Sequence, residues 1–483
     1  MSGNVTSLFR GGDAAGPVDF RVPGNPYFPT PALFEELAAL LPGLLTRRPA
    51  GADTVAAELG GLLRLPPRCV VPGNGATELI TWLDRLLVRD SLAVPVPVSG
   101  RWTEQPVESG KRVDMFPLQE SGGFALDPER YAGFVRARGT RVAVLCNPNN
   151  PDGGFLPRAA VVRFLDALAD LDLVVVDETF LEFADAEAEP SAVREAVLRP
   201  NVVVLRSLGR SLGLPGVRCG YLVANPALAG RVRDALPRWN LNSVAEHVVF
   251  MLRDHGAAYA ESLRRVRRDR ASLAGRLAAL PGLTVYPSQG NYLFVRLPVG
   301  AEGTVVRDRL LSGHGVLVRE CGNLLGSSSR FLRLAVRPEA DAARLMSGLE
   351  GVLYGAGAGV SREAPGASGG YRPGRVTGGY SSGTAAVDRL VGETNGAGLR
   401  TRAVTRTATA LALPAPVVPD PLPARAADTG LPLPAAVPVA PAAGAGGRQV
   451  LARLPPPTPP GVPAHGGLTA AQVRGTDGRG DAP

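Results

Sequence analysis

The sequence predicts an α/β fold built on a parallel sheet, and three observations point to it. Between residues 18 and 353, short β-rich apolar runs alternate with amphipathic stretches of helical period. Three of those runs end in polar clusters, the place where open α/β sheets bind ligands. The 483-residue chain is 45% hydrophobic and 20% charged, which supplies enough apolar side chain for a large core.

Along the chain, Pro31 to Leu41, Thr54 to Leu63 and Glu78 to Leu87 carry the apolar spacing of helices. The last of these follows the glycine-rich turn Gly73-Asn74-Gly75-Ala76-Thr77, whose free amides at a helix N-terminus would suit a phosphate. Arg112 to Phe116 is strand-like, and Arg141 to Cys146 is a strand that ends in the rigid double Asn-Pro corner Asn147 to Gly153. Pro157 to Asp170 reads as a helix, and Asp172 to Asp177 as a strand that runs into Glu178-Thr179-Phe180-Leu181-Glu182-Phe183. The strand Asn201 to Ser207 opens onto a loop that continues to Tyr221. From Val244 to Leu280 one long helix is expected. Leu263, Val266, Arg270, Leu273 and Leu277 recur along it, and its arginines read as a solvated face. Tyr292 to Leu297 is a further strand.

Composition narrows the function classes. The formal charge is +8, yet no Lys/Arg block is dense enough for a nucleic-acid footprint. Lys111 is the only lysine, so 51 of the 52 basic residues are arginine. Cys69, Cys146, Cys219 and Cys321 lie far apart, which indicates neither a disulfide framework nor a metal cluster and fits a reducing compartment. No uncharged apolar run reaches membrane-spanning length, so a cytoplasmic location is expected, with no membrane partner. Residues 355–483 hold 18 of the 45 prolines and no Phe or Trp, so this stretch is expected to be a disordered tail dispensable for folding.

Each polar cluster alone is ordinary turn chemistry. In this order and spacing they resemble the class I/II aminotransferase superfamily, fold type I of the pyridoxal-phosphate enzymes, in the branch of threonine-phosphate decarboxylase and histidinol-phosphate aminotransferase. The segments Pro237-Arg-Trp-Asn-Leu-Asn-Ser243, Gly315 to Cys321 and Arg330 to Arg337 agree, and Phe180 leans toward the decarboxylase. The resemblance implies a large parallel or mixed-sheet domain over residues 53–243 with helices on both faces. A smaller α+β domain would combine residues 1–52 and 244–354, and the assembly would be a homodimer.

The resemblance also assigns residues. Gly75, Ala76 and Thr77 would hold the phosphate of pyridoxal or pyridoxamine 5'-phosphate, with Ser207 and Arg218 assisting. Asp177 would keep a proton on the ring nitrogen, and Asn150 would donate to the ring 3′ oxygen. Asn25 would lie at the substrate, a small amino acid. Arg333 would clamp its carboxylate, and Arg337 would take a second anionic group.

At the position of the family's cofactor-linked lysine stands Arg210, a protonated guanidinium that is a very poor nucleophile. Lys111 is expected on a surface turn, too remote to substitute. Ser99 stands where an aromatic ring normally stacks; Trp102 is expected to pack, with restoring some of that stacking as the alternative. Arg47-Arg48-Pro49 replaces a Tyr-Pro, and Pro23 replaces an asparagine. Three readings stay open at this stage: an aminotransferase-like or decarboxylase-like enzyme with altered chemistry and non-covalent cofactor, a non-catalytic ligand-binding protein or partner subunit, and a scaffold whose function lies in the tail.

Overall fold

The β-branched runs that look continuously apolar in sequence do so because the strands they form are covered on both faces. The computed structural model describes residues 16–355. The expected tail lies outside the described residues apart from Gly355. In chain order the elements are β1 (Val18–Asp19), α1 (Pro31–Thr46), α2 (Ala52–Leu63), β2 (Val70–Gly73), α3 (Gly75–Leu87), β3 (Ser91–Val96), α4 (Glu104–Glu108), β4 (Arg112–Pro117), α5 (Pro128–Ala137), β5 (Val142–Cys146), α6 (Arg158–Ala167) and β6 (Leu173–Asp177). Then follow α7 (Val193–Leu198), β7 (Val202–Ser207), α8 (Leu208–Ser211), β8 (Gly220–Val223), α9 (Pro226–Ala235), α10 (Ser243–Asp254), α11 (Gly256–Ala278), β9 (Thr284–Tyr286), β10 (Tyr292–Arg296), α12 (Gly303–His314), β11 (Val316–Leu317), β12 (Arg319–Glu320), β13 (Phe331–Ala335) and α13 (Glu339–Tyr354).

The seven-stranded sheet has the order β2-β8-β7-β6-β5-β3-β4. Its centre is parallel, while β8 runs antiparallel to both neighbours, so the sheet is mixed. Alternate side chains of β6 and β7 divide between two cores. Val174, Val176, Val202 and Val204 pack with α2, α5, α6 and α11, whereas Val175, Val203 and Leu205 pack with α3 and α9. A four-stranded antiparallel sheet, β12-β13-β10-β9, contains the strand foreseen at Tyr292 and packs with the end of α11, α12 and α13 in a third cluster. Among the described residues no helix is long and apolar enough to cross a membrane.

Two expectations are corrected. The single helix foreseen from Val244 to Leu280 breaks at His255, whose ψ of 21° leaves the helical range between α10 and α11. Its arginines are not all on a solvated face. Arg270 shares the face of Leu263 and Leu273 and is 6% exposed, and it donates to the carbonyls of Phe183 and Gly290, each at 2.9 Å. A long aliphatic stem with a donor-rich head satisfies buried carbonyls from an otherwise apolar stripe.

The N-terminal segment is locked against the loop after α8 by a close backbone approach. Gly213 has φ +66°, and a Cβ there would lie 2.0 Å from the Phe28 carbonyl oxygen and 2.3 Å from that of Asn25. Gly213→Ala is therefore expected to cost on the order of 2 kcal/mol or more, read as a lower urea midpoint. An unchanged midpoint would show that this approach is not required.

Candidate active site

The site is assembled from the carboxyl ends of β5, β6 and β7 and the N-terminus of α3. Helix α3 begins at Gly75, earlier than the expected Glu78, and Gly75 itself takes φ +76°, a turn conformation that glycine adopts without steric cost. Asn74 makes no side-chain cap, and Glu78 instead accepts from the Asn74 N–H at 2.6 Å. Without a side-chain cap, the first-turn amides keep their donors for another acceptor at the positive end of the helix dipole. Arg218 crosses this turn: it donates to Thr77 Oγ1 at 3.2 Å, and a Cβ on Gly75 would lie 2.8 Å from its Nη2. Gly220 of β8 packs equally closely, its Cβ position 2.9 Å from the Ala76 nitrogen. Ser207 ends β7 beside this turn, paired with Gly220.

Asp177 is 8% exposed and fixed from two sides. The Trp102 indole N–H donates to its Oδ2 at 2.8 Å, and the Thr179 N–H donates to Oδ1 at 3.1 Å. The sequence offered Trp102 for packing or for some stacking on the ring; its buried indole instead orients this carboxylate. Behind Asp177 lies a cluster that sequence reasoning missed. Arg206 donates to Glu178 at 3.0 Å, to Ser191 Oγ at 3.1 Å, and to Glu182, and all three charged groups are less than 5% exposed. Burial pushes the Glu182 carboxyl up to about 6 despite Arg206. A charged residue inside the apolar run VVVLRS was the available signal, since a buried charge demands a partner.

The Asn-Pro corner is held by its own side chains. Asn147 donates to the Leu156 carbonyl at 2.9 Å and accepts from the Leu156 N–H at 2.7 Å. Asn149 donates to the Pro97 carbonyl at 3.0 Å and to Asp152, which also accepts from the Gly154 N–H at 2.6 Å. Tyr292 donates to the Asn149 carbonyl at 2.5 Å. Asn150 Oδ1 accepts from Arg333 Nη1 at 2.7 Å, which fixes the amide with its NH2 group as the remaining donor. Arg333 also donates to the Arg21 carbonyl at 2.5 Å, while its buried Nε has no partner. Burial pushes the Arg333 guanidinium down to about 10, with Arg319 and Arg210 acting in the same direction.

Arg210 is partly buried in α8, its guanidinium carbon 4.7 Å from the centre of the Phe180 ring. Among the described residues its guanidinium makes no hydrogen bond or ion pair. Burial, the largest influence, lowers its pKa; Asp177 opposes this and Arg218 adds to it. Its own carbonyl accepts from the Asn25 N–H at 3.0 Å.

Three foreseen residues sit differently from expectation. The Asn25 amide is committed to the Ser211 carbonyl at 2.9 Å and Ser262 Oγ at 2.7 Å, so it ties the Arg210 loop to α11. Arg337 is ion-paired with Asp341 at 2.9 Å, which neutralises it. Lys111 does follow a turn, but its ammonium is mostly buried in an ion pair with Asp84 at 2.8 Å, so it is neither exposed nor free. Arg48, in the stretch that replaces Tyr-Pro, lies 5.5 Å from the ring centre of the half-exposed Trp239.

A family model described as aminotransferase class I and II matches residues 50–350. Over 70% of its length the chain is 32% identical to a CMP-5'-(3-aminopropyl)phosphonate synthase of Streptomyces rubellomurinus, of which it spans 53%. It is 31% identical to histidinol-phosphate aminotransferase 1 of Burkholderia lata over 71% of this chain and 94% of that one. The chain thus spans about half the length of the synthase and nearly all of the aminotransferase. Two solved structures share the fold. A decarboxylase from Sulfurospirillum multivorans has a TM-score of 0.66 at 24% identity, covering 71% of this chain and 89% of that one. Histidinol-phosphate aminotransferase from Sinorhizobium meliloti in complex with pyridoxal-5'-phosphate has a TM-score of 0.63 at 21% identity, covering 71% and 92%.

Burial pushes the Asp152 carboxyl up to about 6, against its hydrogen bonds from Gly154 and Asn149. Because the folded group holds its proton to higher pH than the unfolded one, its contribution to stability is full below about pH 4 and is lost as pH rises through about 6. Asp152→Asn is expected to flatten the fall in urea-unfolding free energy across that window. A slope equal to that of the native chain would contradict the assignment.

Proposed function

The chain belongs to the aminotransferase class I and II family, and from that premise we propose that it binds pyridoxal or pyridoxamine phosphate non-covalently beside a small amino-acid substrate, with the lysine-dependent chemistry impaired or altered. The observation that carries this reading is Arg210, an arginine on the Phe180 ring in a chain whose one lysine is ion-paired with Asp84.

The residues fit the cofactor at its phosphate end and at its ring. The uncapped turn Gly75 to Thr77 offers backbone donors, Arg218 adds a charge-assisted donor against Gly75, and Ser207 adds a hydroxyl. Asp177, held by Trp102 and Thr179, keeps lone pairs for a protonated ring nitrogen. The free NH2 of Asn150 can donate to the ring oxygen, oriented by Arg333. When bound, the cofactor supplies an electron sink for bonds at the substrate α-carbon. What the chain lacks is an amine to carry the α-proton; a guanidinium that stays protonated can attract an anion but cannot serve as that base.

The substrate is an amino acid, with Arg333 as the carboxylate clamp. The names of the synthase and aminotransferase relatives carry a phosphonate and a phosphate. Such a second oxyanion suits an arginine-rich site. Decarboxylation and transamination remain the two reaction types of this reading. We also take the chain to be a homodimer, and the 53–243 and 1–52 plus 244–354 division to be its domain plan. Helix α1 supports the dimer, because Phe34, Leu40, Leu41 and Leu45 are exposed while only Leu33 is buried.

Borohydride treatment of the full chain with pyridoxal phosphate, followed by mass spectrometry, tests the reading. The native chain is expected to yield no reduced adduct, and Arg210→Lys is expected to yield one on residue 210. An adduct on Lys111 of the native chain would overturn it.

A further inference from the structure

Replacing an amine by a guanidinium at residue 210 removes a nucleophile and adds a permanently charged, planar fork of donors. Its display in the structure is specific. Phe180 and Tyr292 meet edge to face with ring centres 4.9 Å apart. Arg210 lies over Phe180 at 4.7 Å and Arg333 over Tyr292 at 5.5 Å, so two touching rings each carry a guanidinium. The two cations feel one another, and Arg218 acts on Arg210 as well.

Among the described residues neither ring-borne guanidinium has a carboxylate partner. Arg210 has no hydrogen-bond acceptor among the described residues, and Arg333 has a buried Nε without one. The nearby carboxylate, Asp177, already accepts from Trp102 and Thr179. Two other buried arginines do have carboxylates: Arg206 has Glu178 and Glu182, and Arg270 has Asp185 at 2.8 Å. A desolvated cation without a counter-charge is destabilising, so the site is short of negative charge in a way that an anionic ligand would correct.

We propose that Arg210 is itself a ligand-binding residue, which with Arg333 holds an oxyanion of the bound ligand, so that the position specifies acidic amino acids carrying a second anionic group rather than anchoring the cofactor. The proposal rests on the reading of the site given above, and it deepens that reading by giving the substituted residue a role. The oxyanion is a carboxylate or a phosphoryl group, both of which match the guanidinium fork.

Calorimetric titration of the full chain with O-phospho-L-serine, L-serine and inorganic phosphate tests it, using the native chain, Arg210→Gln and Arg210→Lys. The native chain is expected to bind O-phospho-L-serine more tightly than either fragment. Arg210→Gln should weaken that binding about tenfold or more, the loss of one charge-assisted contact. Arg210→Lys should retain part of it, because charge remains while the fork is lost. The fragment whose binding falls in Arg210→Gln identifies the group Arg210 takes. Without ligand, Arg210→Gln should also melt above the native chain, which shows that it folds and that the unpaired charge was costly. Undiminished O-phospho-L-serine binding by Arg210→Gln, or no binding by the native chain, would overturn the proposal. A parallel titration with pyridoxamine phosphate separates the two ideas: its failure would sink the cofactor reading while the oxyanion series still decides Arg210.

Discussion

Arg206 holds the site together. It sits near the end of β7, 1% exposed, and joins Glu178 just after β6 to Glu182 in the following turn. Its neighbour in sequence is Ser207, and across the ladder Asp177 pairs with Leu205, one residue before it. Alternation along the strands puts Arg206 on one side of the sheet and Asp177 and Ser207 on the other. The ionic cluster therefore fixes the two strand ends that carry Asp177 and Ser207. Removing one partner would leave a buried charge uncompensated, at a cost of about 3–5 kcal/mol. With both strand ends fixed, the Trp102 indole can meet Asp177 at 2.8 Å and hold its carboxylate as an acceptor.

Four residues after Arg206 stands Arg210, the same side chain in the opposite circumstance. One guanidinium has two carboxylates and a hydroxyl; the other has a ring face and, among the described residues, no acceptor. The contrast separates an arginine that organises the protein from one that waits on a ligand. The approach of Gly213 to the Asn25 and Phe28 carbonyls keeps the Arg210 loop in place, and Asn25 ties that loop to α11. Arg333 arrives from the second sheet, on β13, and meets the first through Asn150. The site thus depends on contacts between segments that are far apart in the chain.

Much of this arrangement was legible in the sequence. The runs ending at Cys146, Asp177 and Ser207 became β5, β6 and β7, because a strand covered on both faces leaves an unbroken apolar signature. Gly75 and the turn it opens were visible because the required φ restricts the residue type. The break at His255 was missed although Gly256 follows it, because a lone glycine is tolerated within a helical pattern and the apolar period continues across it. Nor was the burial of Arg270, because a solvated arginine and one that caps carbonyls occupy the same helical position. Arg337 was given an anion-binding role by the resemblance, and the structure shows Asp341 one turn on neutralising it. The partners of Arg206 were hidden for a related reason: sequence shows that a charge is buried, while its counter-charges come from another strand's end.

A crystal structure of the full chain grown with pyridoxamine phosphate and O-phospho-L-serine tests the central claim most directly. The account predicts the cofactor phosphate on the amides of Gly75 to Thr77 with Arg218 beside it, its ring nitrogen facing Asp177, and an oxyanion of the second ligand about 3 Å from the Arg210 guanidinium. An Arg210 side chain turned away to a protein carboxylate, with no anion between it and Arg333, would contradict it.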